Sequence, residues 1–172
     1  MKILLLSQHF YPDLVSTGLH MTELACRIKK LQPSIDITVF CSDSSKDDFS
    51  KKKLKKEWYN NINIVRVSNY GKQHGTNLSR FIFSMAFFFK ALLYSVFNAR
   101  KYDKIILTTN PPFLGIVTLL INRLFNKEFI FICYDVYPNI AVKLGVIKKG
   151  LLINRIWKKI NIQIYNKAES VV

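Results

Sequence analysis

The chain has 172 residues, 49% of them hydrophobic and 13% aromatic. It is long enough to bury a core as one domain, and this composition excludes a disordered segment. Its 26 Lys and Arg against 11 Asp and Glu leave a net charge of +15, a balance that suits nucleic acid, an anionic membrane surface or a phosphorylated substrate, and equally a solvated Lys-rich surface with no partner. Three cysteines, Cys26, Cys41 and Cys133, lie without CxxC spacing in apolar runs, as buried free thiols in a reducing compartment do. The histidines His9, His20 and His74 are scattered, so no metal cluster is expected. "MKILLLS" is too short in its apolar run for a secretory signal, and the chain reads as cytoplasmic.

Ile3 to Leu6 reads as a first strand. The loop "QHFYPDLVST" follows it, punctuated by Pro12 and Asp13. Leu19 to Leu31 carries a helical period that stops at Pro33. Ile35 to Cys41 is a second strand. Asp43 to Lys56 is polar and basic and is expected to be a mobile loop with a short helix. A third strand runs from Ile62 to Val67, and "SNYGKQHGTN" is a loop holding Gly71 and Gly75. "LSRFIFSMAFFFKALLYSVFNARK" is long enough for about six helical turns. "DKIILTT" is a fourth strand and "NPPFLG" a tight turn. Gly115 to Phe125 is a helix and "EFIFICY" a fifth strand. A last helix spans about Leu151 to Ala168, and "ESVV" begins a sixth strand.

The strands are almost wholly apolar rather than alternating, as strands buried on both faces are. With helices between them, they predict a Rossmann-like, doubly wound α/β domain with a mainly parallel sheet and helices on both faces. Such sheets bind ligands outside the carboxyl ends of their strands. The loop from His9 to Gly18, then Asn110, and then Tyr134 and Asp135 all fall at such ends. Asp135 ends a buried strand, where a carboxylate would orient an acceptor hydroxyl or take its proton; the alternative is an Asp that caps the next turn. No GxGxxG and no GxxxxGK[ST] occur, which argues against a dinucleotide site and a nucleotide-hydrolysing loop. Gly18 either lets backbone N–H groups approach one anionic group or serves only as a helix-entry turn.

In three pieces the chain resembles the amino-terminal half of a GT-B glycosyltransferase: "MKILLLSQHFYPDLVSTGLHMTELACRIKKL", "NPPFLG" and "YDVYPNIAVKLGVIKKG…IYNKAESVV". It is similar to the retaining family four enzymes of polysaccharide assembly. Among them it looks like those that transfer amino sugars such as N-acetyl-L-fucosamine in O-antigen or capsule synthesis. The resemblance spans the whole chain and implies roles residue by residue. Asp135 matches the strand-end acid that faces the acceptor sugar, with His9, Asp13, Asn110, Tyr134 and Asn139 lining the acceptor cleft. Thr17 and Gly18 stand for the Gly-Gly loop that faces the donor diphosphate, Thr17 departing from its first glycine. Asp13 and Asn139 each stand where the family has Glu. The resemblance implies a nucleotide-sugar donor, a polyprenyl-diphosphate-linked glycan acceptor and no cofactor. It also implies that residues 1–172 are the single acceptor-side domain, and that a second Rossmann-like domain, absent from this sequence, binds the donor. The isolated chain is then expected to be inactive.

The Phe-rich helix is apolar from Phe81 to Phe97 apart from Ser84, Lys90, Tyr94 and Ser95. A membrane span is disfavoured by its length and by Lys90 at its middle. It would also set the third and fourth strands on opposite sides of a bilayer. Phe83, Phe87, Phe88 and Leu92 are candidates for the core. An outer face marked by Arg80, Phe88, Lys90 and Lys101 is expected on the anionic inner face of the plasma membrane, with Lys51 to Lys56, Trp58 and Tyr59 adding to it. The rivals are a nucleic-acid binder and a non-catalytic scaffold. No nucleic-acid motif is present, so no nucleic-acid partner is expected.

Overall fold

Leu4, Leu5 and Leu6 are fully buried at the start of the chain. Three consecutive buried side chains on a strand require cover on both faces, which makes this strand central. In the computed structural model, which describes residues 1–13, 15–43, 54–68, 76–143 and 152–172, it is β1 (Lys2–Leu6). There follow α1 (Ser16–Leu31), β2 (Asp36–Ser42), β3 (Lys55–Tyr59), β4 (Ile62–Val67) and α2 (Asn77–Asn98), which runs into a 3-10 turn over Ala99–Lys101. The rest comprises β5 (Lys104–Thr108), α3 (Leu114–Phe125), β6 (Glu128–Ile132), α4 (Asn139–Lys143), α5 (Leu152–Lys167) and β7 (Ser170–Val171).

The described strands form one seven-stranded sheet in the order β3-β4-β2-β1-β5-β6-β7. Every pairing is parallel except β3 with β4. From β4 to β7 this is the doubly wound order, and the winding reverses between β1 and β5. The two faces are unequally covered. On one, Met21 and Ala25 of α1 pack over Ile3, Leu5, Val39 and Ile64. On the other, α2, α3 and α5 pack over Leu4, Leu6, Phe40, Ile105 and Phe129.

Local chemistry sets the boundaries. The α1 helix ends with Lys29 and Lys30 in its last turn, where cations favour the helix dipole, and Lys29 Nζ donates to the carbonyls of Pro33 and Ile35 at 2.8 Å each. Thr76 caps α2, its hydroxyl accepting from the Ser79 N–H at 3.3 Å. Asn126 ends α3 in the left-handed region at φ 52°.

The expected strands and helices are present, with one correction. Of the stretch Asp43 to Lys56, read as a loop with a short helix, residues 44–53 lie outside the described residues. Lys55 and Lys56 instead open β3, which pairs antiparallel with β4 from Lys55↔Arg66 to Tyr59↔Ile62. Asn60 and Asn61 join the two strands with φ of 48° and 60°, the backbone of a two-residue hairpin turn. Gly71, Gly75 and His74 also lie outside the described residues, as does "GVIKKG" from Gly145 to Gly150.

The α2 helix lies along the sheet and does not cross a membrane, although its length and apolar composition would allow a span. The strands on either side of it in sequence, β4 and β5, belong to one sheet. Phe83, Phe87, Ala91 and Ser95 are buried one turn apart and define its inner stripe. Phe88 stands next to that stripe, is half-buried against the core and so is not a mark of the outer face. Lys90 is half-buried too, its ammonium bonded to the Ser68 carbonyl. Arg80 and Lys101 are exposed near the two ends of the helical stretch. Of the other basic and aromatic residues expected at a membrane, Tyr59 is half-buried and stacked on Tyr11 with ring centroids 3.9 Å apart, and Trp58 is exposed.

Candidate functional site

Open α/β sheets bind ligands at the strands' carboxyl ends where the winding reverses, which here is the edge between β1 and β5. Three loops border it, after β1, β5 and β6. Each holds one cis X-Pro bond, at Tyr11-Pro12, Asn110-Pro111 and Tyr137-Pro138.

The first loop is tightly built. His9 Nδ1 and Asp13 Oδ2 are 2.6 Å apart, and both side chains are about nine-tenths buried. Asp13 Oδ1 also accepts from the Val15 N–H at 3.4 Å. The Tyr11 N–H donates to Thr22 Oγ1 at 2.9 Å, and that hydroxyl donates to the Gly18 carbonyl at 2.7 Å. Gly18 is buried in the first turn of α1. A Cβ there would stand 2.7 Å from the Asp13 carbonyl oxygen and 3.4 Å from His9 Cβ. Glycine is therefore needed for the loop's own packing, whatever binds outside it. Thr17, half-buried, and Ser16, exposed, precede it in a first turn that holds no acid.

A buried arginine that sequence reasoning missed braces this loop from behind. Arg66 on β4 is 4% exposed. Its guanidinium donates to Glu57 Oε1 on β3, to the Tyr11 carbonyl, and to Cys41 Sγ at 3.4 Å. Burial and the strand pairing bring these partners together, and none of them is near Arg66 in sequence. The same burial pushes the Cys41 thiol up to about 12, against the lowering effect of the Arg66 charge.

The second and third loops are joined by Thr109, a residue sequence reasoning also missed. Its buried hydroxyl accepts from the N–H groups of Tyr134 and Asp135, each at 3.2 Å. Asn110 is half-buried next to it, its N–H donating to Thr108 Oγ1 at 3.3 Å. The Asp135 carbonyl accepts from the Tyr137 N–H at 3.1 Å and from Cys133 Sγ at 3.6 Å. The backbone of Asp135 is thus held on both sides. Its half-buried carboxylate makes no hydrogen bond or ion pair among the described residues, and it does not cap the turn that follows.

Tyr134 reaches from the third loop to α1. Its ring stacks on His20 at 5.9 Å, and its hydroxyl lies 3.8 Å from Met21 Sδ. Burial raises the Tyr134 hydroxyl above its ordinary value; burial first, and then the Asp135 charge, raise that of Tyr137. Tyr137 is anchored elsewhere. It stacks on Trp157 at 5.3 Å, and its carbonyl accepts from Asn161 Nδ2 at 2.6 Å. Asn139 is exposed as the first residue of α4. The structure therefore pairs His9 with Asp13, and hangs Tyr134, Asp135 and Asn110 from one Thr109–Thr108 corner. Arg80, Phe88, Lys90 and Lys101 belong to the α2 layer. Among the described residues no three His, Cys, Asp or Glu are grouped to hold a metal ion.

No family model matches the chain. The probable glycosyltransferase WbjE of Pseudomonas aeruginosa is 30% identical to it over 91 residues, 51% of this chain and 23% of that protein. The chain is glycosyltransferase-like. The solved sucrose-phosphate synthase from Thermosynechococcus elongatus matches its fold with a TM-score of 0.62 over 99% of this chain and 41% of that one, at 15% identity. That likeness supports the Rossmann-like, GT-B-type architecture. The chain spans less than half the length of either protein.

Proposed function

We propose that the chain is the acceptor-binding half of a retaining, family four glycosyltransferase that moves a sugar, an amino sugar in the reading preferred here, from a nucleotide-sugar to a polyprenyl-diphosphate-linked glycan in cell-surface polysaccharide synthesis. The observation that carries the proposal is the Asp135 carboxylate. It stands at the carboxyl end of β6, its backbone pinned by Thr109, and its oxygens are engaged by no other described residue. A half-buried carboxylate with no partner among the described residues, at the edge where this fold binds ligands, can act on a substrate. In this reading it orients an acceptor hydroxyl or accepts its proton. The His9–Asp13 pair, Asn110, Tyr134 and Asn139 line the acceptor side. The first turn of α1, at Thr17 and Gly18, presents N–H groups and no acid to the donor diphosphate. The nucleotide-sugar site itself is assigned to a second Rossmann-like domain beyond this sequence, which the greater length of the glycosyltransferase relative supports.

The test uses the complete protein with a panel of nucleotide-sugars and a lipid-linked acceptor, reading nucleotide release. Asp135→Asn is expected to lower kcat at least 100-fold, within the usual contribution of a positioned acid or base, and to leave the melting temperature unchanged. Retained turnover in that variant would refute the role. Transfer above background by residues 1–172 alone would refute the assignment of the donor site to a second domain.

A further inference from the structure

One helical layer of this chain carries cations and no acid. The sequences of α2, α3 and α5 contain no Asp or Glu. They contain Arg80, Lys90, Arg123, Arg155, Lys158, Lys159 and Lys167. These three helices form one layer on one side of the sheet, α3 touching both α2 and α5. On the opposite side α1 is also net positive, with Arg27, Lys29 and Lys30, but carries one acid, Glu23, paired with Arg27 at 2.6 Å.

The outer side of α2 is apolar along its length. Leu78, Phe81, Ile82, Phe89, Leu93 and Phe97 are exposed, Phe97 by 80%, Phe89 by 59% and Leu93 by 58%. They recur at three- and four-residue steps, opposite the inner stripe of Phe83, Phe87, Ala91 and Ser95. The 22 residues of α2 extend about 33 Å at 1.5 Å each. Two charges fall within that span, Arg80 in the first turn and Lys90 at the middle, and Lys90 turns its ammonium back to the Ser68 carbonyl. Arg80 stands near one end of the stripe, and Arg100 and Lys101 follow the other. An exposed apolar run of this size on a monomer marks an interaction surface. On α5, Leu152, Ile153 and Ile156 are exposed beside Arg155, Lys158 and Lys159.

We infer that this helical layer docks on the surface of an anionic lipid bilayer, with α2 lying in the interface plane and its Phe-rich stripe among the acyl chains. A long helix with one apolar side, cations at its ends and no acid is the form of an interfacial helix. Anionic headgroups complement a layer that carries cations alone. The inference is independent of the transferase reading, because it uses no residue of the candidate site and its test needs no activity.

The experiment is vesicle flotation of the purified chain. Phosphatidylcholine vesicles are compared with phosphatidylcholine–phosphatidylglycerol vesicles, and each is repeated with excess duplex DNA as competitor. The chain is expected to float with the phosphatidylglycerol vesicles at least tenfold more than with phosphatidylcholine alone, and less at high salt. Phe89→Glu with Phe97→Glu should abolish flotation while circular dichroism stays unchanged, since both side chains are exposed. Should that variant fail to fold, Arg155→Gln, Lys158→Gln and Lys159→Gln together, at exposed positions of α5, should weaken flotation severalfold. Absence of flotation with the anionic vesicles would overturn the inference. So would equal flotation with both vesicle types, or full binding by a folded Phe89 and Phe97 variant. Displacement by DNA with no effect of the Phe substitutions would assign the charge to nucleic acid instead.

Discussion

Replacing Gly18 by valine tests how the first loop is built. The new Cβ would be 2.7 Å from the Asp13 carbonyl oxygen, a backbone atom that cannot rotate away. Carbon–oxygen contacts settle at about 3.3 Å or more, so that carbonyl must retreat by about 0.6 Å or α1 must shift by as much. Either movement disturbs Asp13, whose carboxylate is 2.6 Å from His9 Nδ1, and the turn that carries the Thr22 bonds to Tyr11 and Gly18. Overpacking a filled site costs about 1–3 kcal/mol, and a clash with main chain belongs in the upper part, about 2–3 kcal/mol. The better helix propensity of valine over glycine returns only about 0.3 kcal/mol. For a chain of this size each kcal/mol moves the melting temperature by about 2–4 °C, so Gly18→Val should melt about 5–10 °C lower. Differential scanning calorimetry reads this directly, with exposed Ser16→Ala as a control expected to stay within about 2 °C. A Gly18→Val melting point inside the control range would refute the close approach of loop and helix.

Cys41 should resist a thiol reagent at pH 8. Its thiol is buried and pushed up to about 12, leaving a thiolate fraction of about one in 10⁴ at that pH. At most two of the three thiols should then label in the native chain and all three in denaturant; three fast thiols in the native state would contradict the burial. Because the folded value lies above the unfolded one, this group's contribution to stability is fully present below the unfolded value near 9. It should be lost as pH rises from there towards 12, which urea midpoints across pH 8–11 would detect. Arg66→Met should lower stability by about 2–3 kcal/mol in urea unfolding, towards the low end for a broken buried pair because Glu57 is partly exposed. Arg66→Lys should recover little, since one ammonium cannot reach Glu57, Cys41 and the Tyr11 carbonyl together. Full recovery by lysine would show that only the charge matters there.

The parallel strands were legible because strands buried on both faces are written as continuous apolar runs, as in "KILLL" and "EFIFI". The helices were legible where capping and stop residues agree, as at Pro33 after α1. β3 was not legible, because an edge strand is written in the opposite way. Lys55, Lys56 and exposed Trp58 protect an open edge from pairing with another chain, and in sequence they read as a solvated loop. The signal that would have found it is Asn60-Asn61, two residues that tolerate positive φ between a β-prone pair and a β-prone run. At the site, the loop residues could be placed from strand ends alone. Arg66 and Thr109 could not, because their roles are set by strand order. Arg66 meets Tyr11 and Cys41 only once β4 lies beside β2, and Thr109 meets Tyr134 and Asp135 only once β5 lies beside β6. The phase of α2 was not legible, and Phe88 stood as a candidate for both the core and the outer face. An apolar run gives no phase, whereas burial of Phe83, Phe87 and Ala91 supplies it.

In this chain of net charge +15 the acids are distributed unevenly between the two ends of the strands. Asp36, Asp103, Glu128 and Glu169 cluster where strands begin. There Asp103 accepts from the Lys2 N–H at 2.7 Å, and Lys104 reaches Glu169 at 2.6 Å and Glu128 at 3.5 Å. That edge is largely neutralised by its own pairs. Asp13, Asp43 and Asp135 stand at the opposite edge, where strands end. Among the described residues, that edge offers an anionic ligand the N–H groups of the first turn of α1. The layer of α2, α3 and α5 carries Arg80, Lys90, Arg123, Arg155, Lys158, Lys159 and Lys167 and no acid, beside the exposed apolar side chains of α2 and α5. On the readings proposed above, that layer would hold a lipid surface and the strand ends a substrate, and because the two use different residues the vesicle and kinetic tests can fail independently.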